Sequence, residues 1–217
     1  MKLAESVEHG KADKNSPYPP HLKGQDGAGE LTEYALEKGI NPKHILSQAL
    51  IPAMDIVGKR FSENKIFVPQ MLMSAKAMGA SMFFLKPFFQ SGELKSKGTL
   101  IIGTVKGDLH DIGKNLVRMM VEGSGWNIID LGVDVSAGSF VETLKENQDA
   151  IIGLSALLTT TMVNMKEIVS EIRKEFKDTK ILIGGAPVTE EFSNTIGSDF
   201  YSADPQGAVD YLNKLVS

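Results

Sequence analysis

The sequence predicts an α/β chain in which a small helical bundle precedes a five-stranded parallel sheet. Three observations predict it. From Thr99 onward, short apolar runs alternate with amphipathic stretches, the pattern of strand–helix–strand units. From Gly29 to about Phe89 the periodicity is helical throughout. Between the two, residues 90–98 are polar and carry two glycines, as a linker does. The domains read as a polar N-terminal segment (1–28), a helical cap (29–89), a linker (90–98) and an α/β domain (99–217).

Residues 1–28 are punctuated by Pro17, Pro19, Pro20, Gly24 and Gly27 and offer little to bury. His9 and His21 lie there without spaced partners and read as solvent-exposed. Glu30–Lys38 is an amphipathic helix stopped by Gly39. Asn41-Pro42 starts a second, because a capping side chain followed by a proline suits the first helical turn. That helix runs through Ile45, Leu46, Ala49, Ile56, Val57 and Phe61, with Pro52 expected to kink or break it. A third begins near Pro69 and carries Met71, Leu72, Ala75, Met78, Met82 and Leu85. Its methionines read first as adaptable core packing and second as a surface that closes over a large flat ligand.

In the second half, strands are expected at Thr99–Thr104, Trp126–Leu131, Ala150–Leu154, Lys180–Ile183 and near Asp199–Ser202. Helices are expected at Ile112–Glu122, Ser139–Glu146, Met162–Phe176, Glu190–Ile196 and Gln206–Val216. Five strands in about 120 residues favour the flavodoxin-like order 2-1-3-4-5. In that order the loops after the first, third and fourth strands meet. They hold the unusual residues: Asp108, His110, Asp111 and Gly113; Ser155 to Thr161; and Gly184-Gly185. His110 therefore falls at the carboxyl edge of the sheet, where open α/β sheets bind ligands.

Composition excludes several alternatives. The 217 residues include no cysteine, so disulfides, thiolate-ligated metals and cysteine nucleophiles are impossible. A net charge of −4 gives no footprint for nucleic acid or an anionic membrane. The N-terminal residues are polar, and no apolar run is long enough to span a bilayer, so the expectation is a cytoplasmic protein. A serine triad lacks its Gly-x-Ser-x-Gly elbow, and zinc lacks a second well-placed histidine. Gly184-Gly185 is not a dinucleotide fingerprint, since it follows a late strand and lacks the third glycine. One imidazole with a carboxylate two residues away suits a single axial bond to a metal already held in a macrocycle.

Asp108-x-His110-x-x-Gly113, then Ser155-x-Leu157, then Gly184-Gly185 resembles the three-part signature of cobalamin-binding domains that take the cofactor with its own base displaced. The resemblance implies a Rossmann-type cobalamin-binding domain, with His110 as the lower ligand to cobalt and Asp108 as its hydrogen-bond partner. Thr161 stands where methionine synthase-like domains carry a serine; it keeps the hydroxyl and adds a methyl. Ser155, Leu157, Gly184 and Gly185 would line the slot for the displaced nucleotide tail.

Phe61-Ser62-Glu63-Asn64-Lys65-Ile66-Phe67-Val68-Pro69-Gln70-Met71 is similar to the helical cap of corrinoid methyl-carrier proteins. The similarity implies that Phe61, Val68 and Met71 cover the upper cobalt face. The function implied is carriage of a methyl group on cobalt between a substrate-specific methyltransferase and a second methyltransferase with a tetrahydrofolate or thiol acceptor. A reductive activase is implied as a further partner, and the chain itself is a carrier rather than a catalyst. A cobalamin-dependent sensor would need an output module for which no residues remain. A flavodoxin-like module without cobalt would leave Asp108, His110 and the methionine-rich cap unexplained.

Overall fold

The computed structural model describes residues 2–216, so Met1 and Ser217, the outermost residues of the expected segments, lie outside it. The chain divides into two compact units: one takes the residues up to Ser96 with Gly123–Gly125, the other Lys97–Glu122 and Trp126 onward.

The first unit is helical: α1 (Lys2–Glu8), α2 (Ala28–Glu37), α3 (Pro42–Ile45), α4 (Ile51–Ser62) and α5 (Val68–Gln90). The segment expected to bury little is in fact part of this packing. Val7 and Ala12 are buried, the Ser74 hydroxyl donates to the Glu8 carbonyl (3.1 Å), and Arg60 pairs with Glu8 at 3.0 Å. Two details explain why a polar segment can do this. Gly10, at φ 74, brings its backbone so close to α5 that an added Cβ would lie 2.5 Å from the Met73 Cβ. The fully buried Lys11 directs its ammonium to the Ser16 carbonyl at 2.8 Å, so its charge is solvated by the chain's own backbone. His9 and His21 are exposed, as expected.

Asn41 caps α3 through the Lys43 N–H (2.8 Å), with Pro42 in the first turn. The expected helix through Pro52 is interrupted one turn earlier, by a π-helical turn at Leu46–Leu50. Pro52 has no N–H to donate and its ring crowds the preceding turn, so the chain widens there and α4 restarts with the proline in its own first turn. Met71 and Met78 on α5 are buried, in line with core packing.

The second unit is a five-stranded parallel sheet of order β2-β1-β3-β4-β5, the order expected from the sequence. Its strands are β1 (Thr99–Thr104), β2 (Asn127–Asp130), β3 (Ile151–Ser155), β4 (Ile181–Gly184) and β5 (Phe200–Ser202). The helices between and after them are α6 (Ile112–Gly123), α7 (Ala137–Glu146), α8 (Thr159–Met162), α9 (Asn164–Glu175), α10 (Glu190–Ile196) and α11 (Pro205–Leu215). The helix expected over 162–176 is α9, and the short α8 precedes it as an additional turn, separated from it by Val163.

Alternate residues of the strands face opposite layers. Ile101, Ile152, Ile181 and Ile183 meet Phe140 and Leu144 of α7 and Met165, Ile168 and Ile172 of α9 in one core. Gly103 belongs to the same face because Phe140 lies over it; an added Cβ would sit 2.8 Å from the ring. On the other face Ile102, Gly153 and Leu182 form the floor of a cleft walled by Leu116 of α6 and Ala208 of α11. No helix among the described residues is long and apolar enough to cross a membrane.

Candidate cofactor-binding site

The cleft has a volume of about 630 Å³ and opens at the carboxyl ends of β1, β3 and β4. It gathers most of the residues singled out in the sequence: His110, Gly113, Ser155, Leu157, Gly184 and Gly185 all line it. Asp108 and Thr161 do not. They are buried and support His110 from behind.

The Asp108 carboxylate accepts from every side. Its Oδ1 takes the His110 backbone N–H (3.0 Å) and the His110 Nδ1 (2.8 Å). Its Oδ2 takes the Leu157 N–H (2.8 Å), the Leu158 N–H (3.3 Å) and the Thr161 hydroxyl (2.6 Å). Burial pushes this carboxyl's pKa up, but the hydrogen bonds from Thr161, Leu157 and His110 outweigh it and hold the group well below the usual carboxylate range. Asp108 is therefore ionised and can only accept, so the hydrogen of the His110 ring sits on Nδ1. In that tautomer the lone pair is on Nε2. The Asp108 side chain is wholly buried while that of His110 is 51% exposed, so the free nitrogen is available at the mouth of the cleft.

Around the imidazole the surface is apolar and open: Leu109 is 71% exposed, Ile112 69% and Leu157 44%. Such a set of uncovered aliphatic side chains beside one nitrogen ligand fits a broad, flat, apolar ring carrying a metal at its centre. The double glycine shapes the other end of the cleft. Gly185 has φ 138, and an added Cβ would fall 1.8 Å from the Ala156 carbonyl oxygen. The strand-end backbones of β3 and β4 can approach this closely only without a side chain there. Gly113, by contrast, faces open space, and a Cβ there would meet nothing within 4 Å.

Residues 98–209 match the family described as B12 binding domain, and residues 25–86 match a second family of the same description. The chain belongs to the B12-binding corrinoid proteins. Trimethylamine corrinoid protein 1 of Methanosarcina acetivorans is 39% identical over 192 residues, which is 87% of this chain and 88% of that one. Among solved structures, a cobalamin-binding protein of Desulfitobacterium hafniense is 30% identical, with a TM-score of 0.75 over 99% of this chain and 98% of that one. The methanol:cobalamin methyltransferase complex MtaBC of Methanosarcina barkeri has a chain 27% identical, with a TM-score of 0.83 over 99% of this chain and 78% of that one.

For a B12-binding protein, the donor set in this cleft fits the group: one imidazole nitrogen, an aliphatic surround and a side-chain-free slot between strand ends. Phe61, Val68 and Met71 belong to the helical unit; Phe61 and Val68 are half-buried and Met71 is buried. Sequence reasoning missed three residues that hold the histidine loop. The Thr104 hydroxyl donates to the His110 carbonyl (3.0 Å), the Asp134 carboxylate accepts from the Gly107 N–H (2.7 Å), and the Asn164 amide donates to the Lys106 carbonyl (2.7 Å). It also missed the β5 end, where Tyr201, Ser202 and Asp204 line the cleft. In the sequence Thr104 looks like any strand residue; the one signal for Asp134 was its place in the turn Gly132-Val133-Asp134.

Proposed function

We propose that this protein carries a methyl group on its corrinoid, receiving it from a substrate-specific methyltransferase and delivering it to a second methyltransferase with a tetrahydrofolate or thiol acceptor in anaerobic one-carbon metabolism. The observation that carries this reading is the buried Asp108 carboxylate, which fixes the His110 tautomer and leaves Nε2 free at the cleft mouth. The cobalt of the bound cofactor supplies the methyl-transfer chemistry. The chain's residues bind, orient and shield. His110 is the lower axial ligand in the base-off, histidine-on mode. Asp108 and Thr161 hold its ring and raise its basicity. Ser155, Leu157, Gly184 and Gly185, with Gly113, line the slot for the nucleotide tail, and the missing side chains leave room for it. Phe61, Val68 and Met71 form an apolar cover that excludes water and must open to each partner in turn.

The relatives named for trimethylamine and for methanol support a small methylated donor chosen by the partner methyltransferase. A reductive activase is a third partner, because a carrier that works from cobalt's most reduced state loses activity to stray oxidants. The test is a spectroscopic titration with hydroxocobalamin of the native protein and of His110→Ala. A base-off, histidine-on spectrum that disappears in the variant is expected. No binding by folded native protein, or the same spectrum in both, overturns the reading.

A further inference from the structure

His110 is fixed at more points than its partnership with Asp108. Its backbone N–H and ring Nδ1 both bond Asp108 Oδ1, and its carbonyl accepts from the hydroxyl of Thr104, the last residue of β1. With both backbone polar groups and one ring nitrogen held, Nε2 is left a single position. Thr104 is fully buried, and each of its polar groups is hydrogen-bonded. Its N–H donates to the Gly132 carbonyl (3.0 Å), its carbonyl accepts the Val135 N–H (3.0 Å), and its hydroxyl reaches six residues along the chain to His110. The first two bonds are the ordinary currency of strand pairing. The third is not, since a valine would fill the same space and pair the backbone equally well.

The β2–α7 loop that Thr104 grips returns the hold through Asp134. This residue has φ 55, a conformation that side chains other than Asn and Asp avoid. Its N–H donates to the Asp108 carbonyl (3.0 Å), and its carboxylate accepts from Gly107, itself at φ 82. The left-handed Asp134 thus binds the histidine loop at two consecutive residues, accepting from the left-handed Gly107 and donating to Asp108. A non-glycine residue kept in that conformation beside a binding loop points to a positioning task, because the surrounding bonds must sustain it.

We propose that Thr104 and Asp134 form a clasp that sets the height and direction of His110, and that they are positioning residues for its axial bond. This rests on the histidine-on reading above. A ligand displaced by even a fraction of an ångström loses bond strength, so the clasp governs how much of the bound corrinoid is histidine-ligated.

Four variants loaded with hydroxocobalamin and reduced to the cobalt(II) form test it: Thr104→Val and Thr104→Ser, Asp134→Gly and Asp134→Asn. Nitrogen superhyperfine splitting in the electron paramagnetic resonance spectrum reports the ratio of ligated to unligated cobalt, and thermal melting is followed in parallel. Thr104→Val loses the hydroxyl at constant volume, and Asp134→Gly loses the acceptor while tolerating the backbone conformation. Each should lower that ratio about tenfold, the effect of one lost hydrogen bond. The serine and asparagine variants keep an acceptor or hydroxyl in place and should stay near the native ratio. Native ratios in all four variants overturn the clasp. An equal fall in all four does so as well, because the effect would then be general loosening. Native protein without histidine ligation overturns the axial reading itself, and the clasp with it.

Discussion

Asp108→Asn tests the core of the site, and its cost can be worked from the geometry. Five donors converge on the native carboxylate. An asparagine presents one acceptor oxygen and one NH2 group. If the NH2 takes the place of Oδ2, it faces the N–H groups of Leu157 and Leu158, and both lose their acceptor. If it takes the place of Oδ1, it faces the His110 backbone N–H and drives the ring proton from Nδ1 to Nε2. Either orientation leaves buried donors unsatisfied, at about 1–3 kcal/mol each, and removes hydrogen bonds to a charged group. The expected loss is about 2–4 kcal/mol of folding stability, read by urea denaturation of the cofactor-free protein. Nitrogen-15 chemical shifts of the His110 ring report the tautomer independently. A variant within about 0.5 kcal/mol of native, with hydrogen still on Nδ1 and cobalamin binding unchanged, would refute the reasoning.

Further outcomes follow from the same contacts. Asp108 has its carboxyl pKa depressed in the fold, so its contribution is fully present above the unfolded value near pH 4 and is lost as pH falls below that toward the folded value. The stability gap between native protein and Asp108→Asn should therefore narrow between pH 5 and pH 3; a constant gap would contradict the depressed pKa. Thr161→Val should cost about 1.5–3 kcal/mol, since it removes a 2.6 Å bond to a charged acceptor, whereas Thr161→Ser should stay close to native in the same denaturation assay. Gly185→Ala places a methyl where the Ala156 carbonyl already stands, and cobalamin titration should show at least about a tenfold loss of affinity in a protein that still folds by circular dichroism. Phe61→Ala should leave affinity for methylcobalamin intact and speed its photolysis in the bound state; an unchanged rate would remove the shielding role.

Much of this protein is settled by the order of its residues. The strand runs are short, apolar and β-branched, and glycines or polar turns bound them, so backbone preference and burial agree on five parallel strands and their order. The same local logic put Asp108, His110, Ser155 and Gly184-Gly185 at strand ends, where the sheet's topology must bring them together. What the chain order does not contain is the bonding between segments distant in sequence. That Leu157 contributes its N–H as well as its side chain to the site depends on how the β3–α8 turn lies against Asp108, 49 residues away. The parts played by Thr104 and Asp134 depend on a loop meeting of the same kind, and neither residue type announces it. The N-terminal segment looked unable to pack because its composition is polar. Burial there is achieved by close backbone approach at Gly10 and by a lysine satisfied by carbonyls, neither of which registers as hydrophobic periodicity. Residue pattern determines which face of each element turns inward; hydrogen bonds between loops, formed only once the sheet is assembled, decide where the free nitrogen of His110 points.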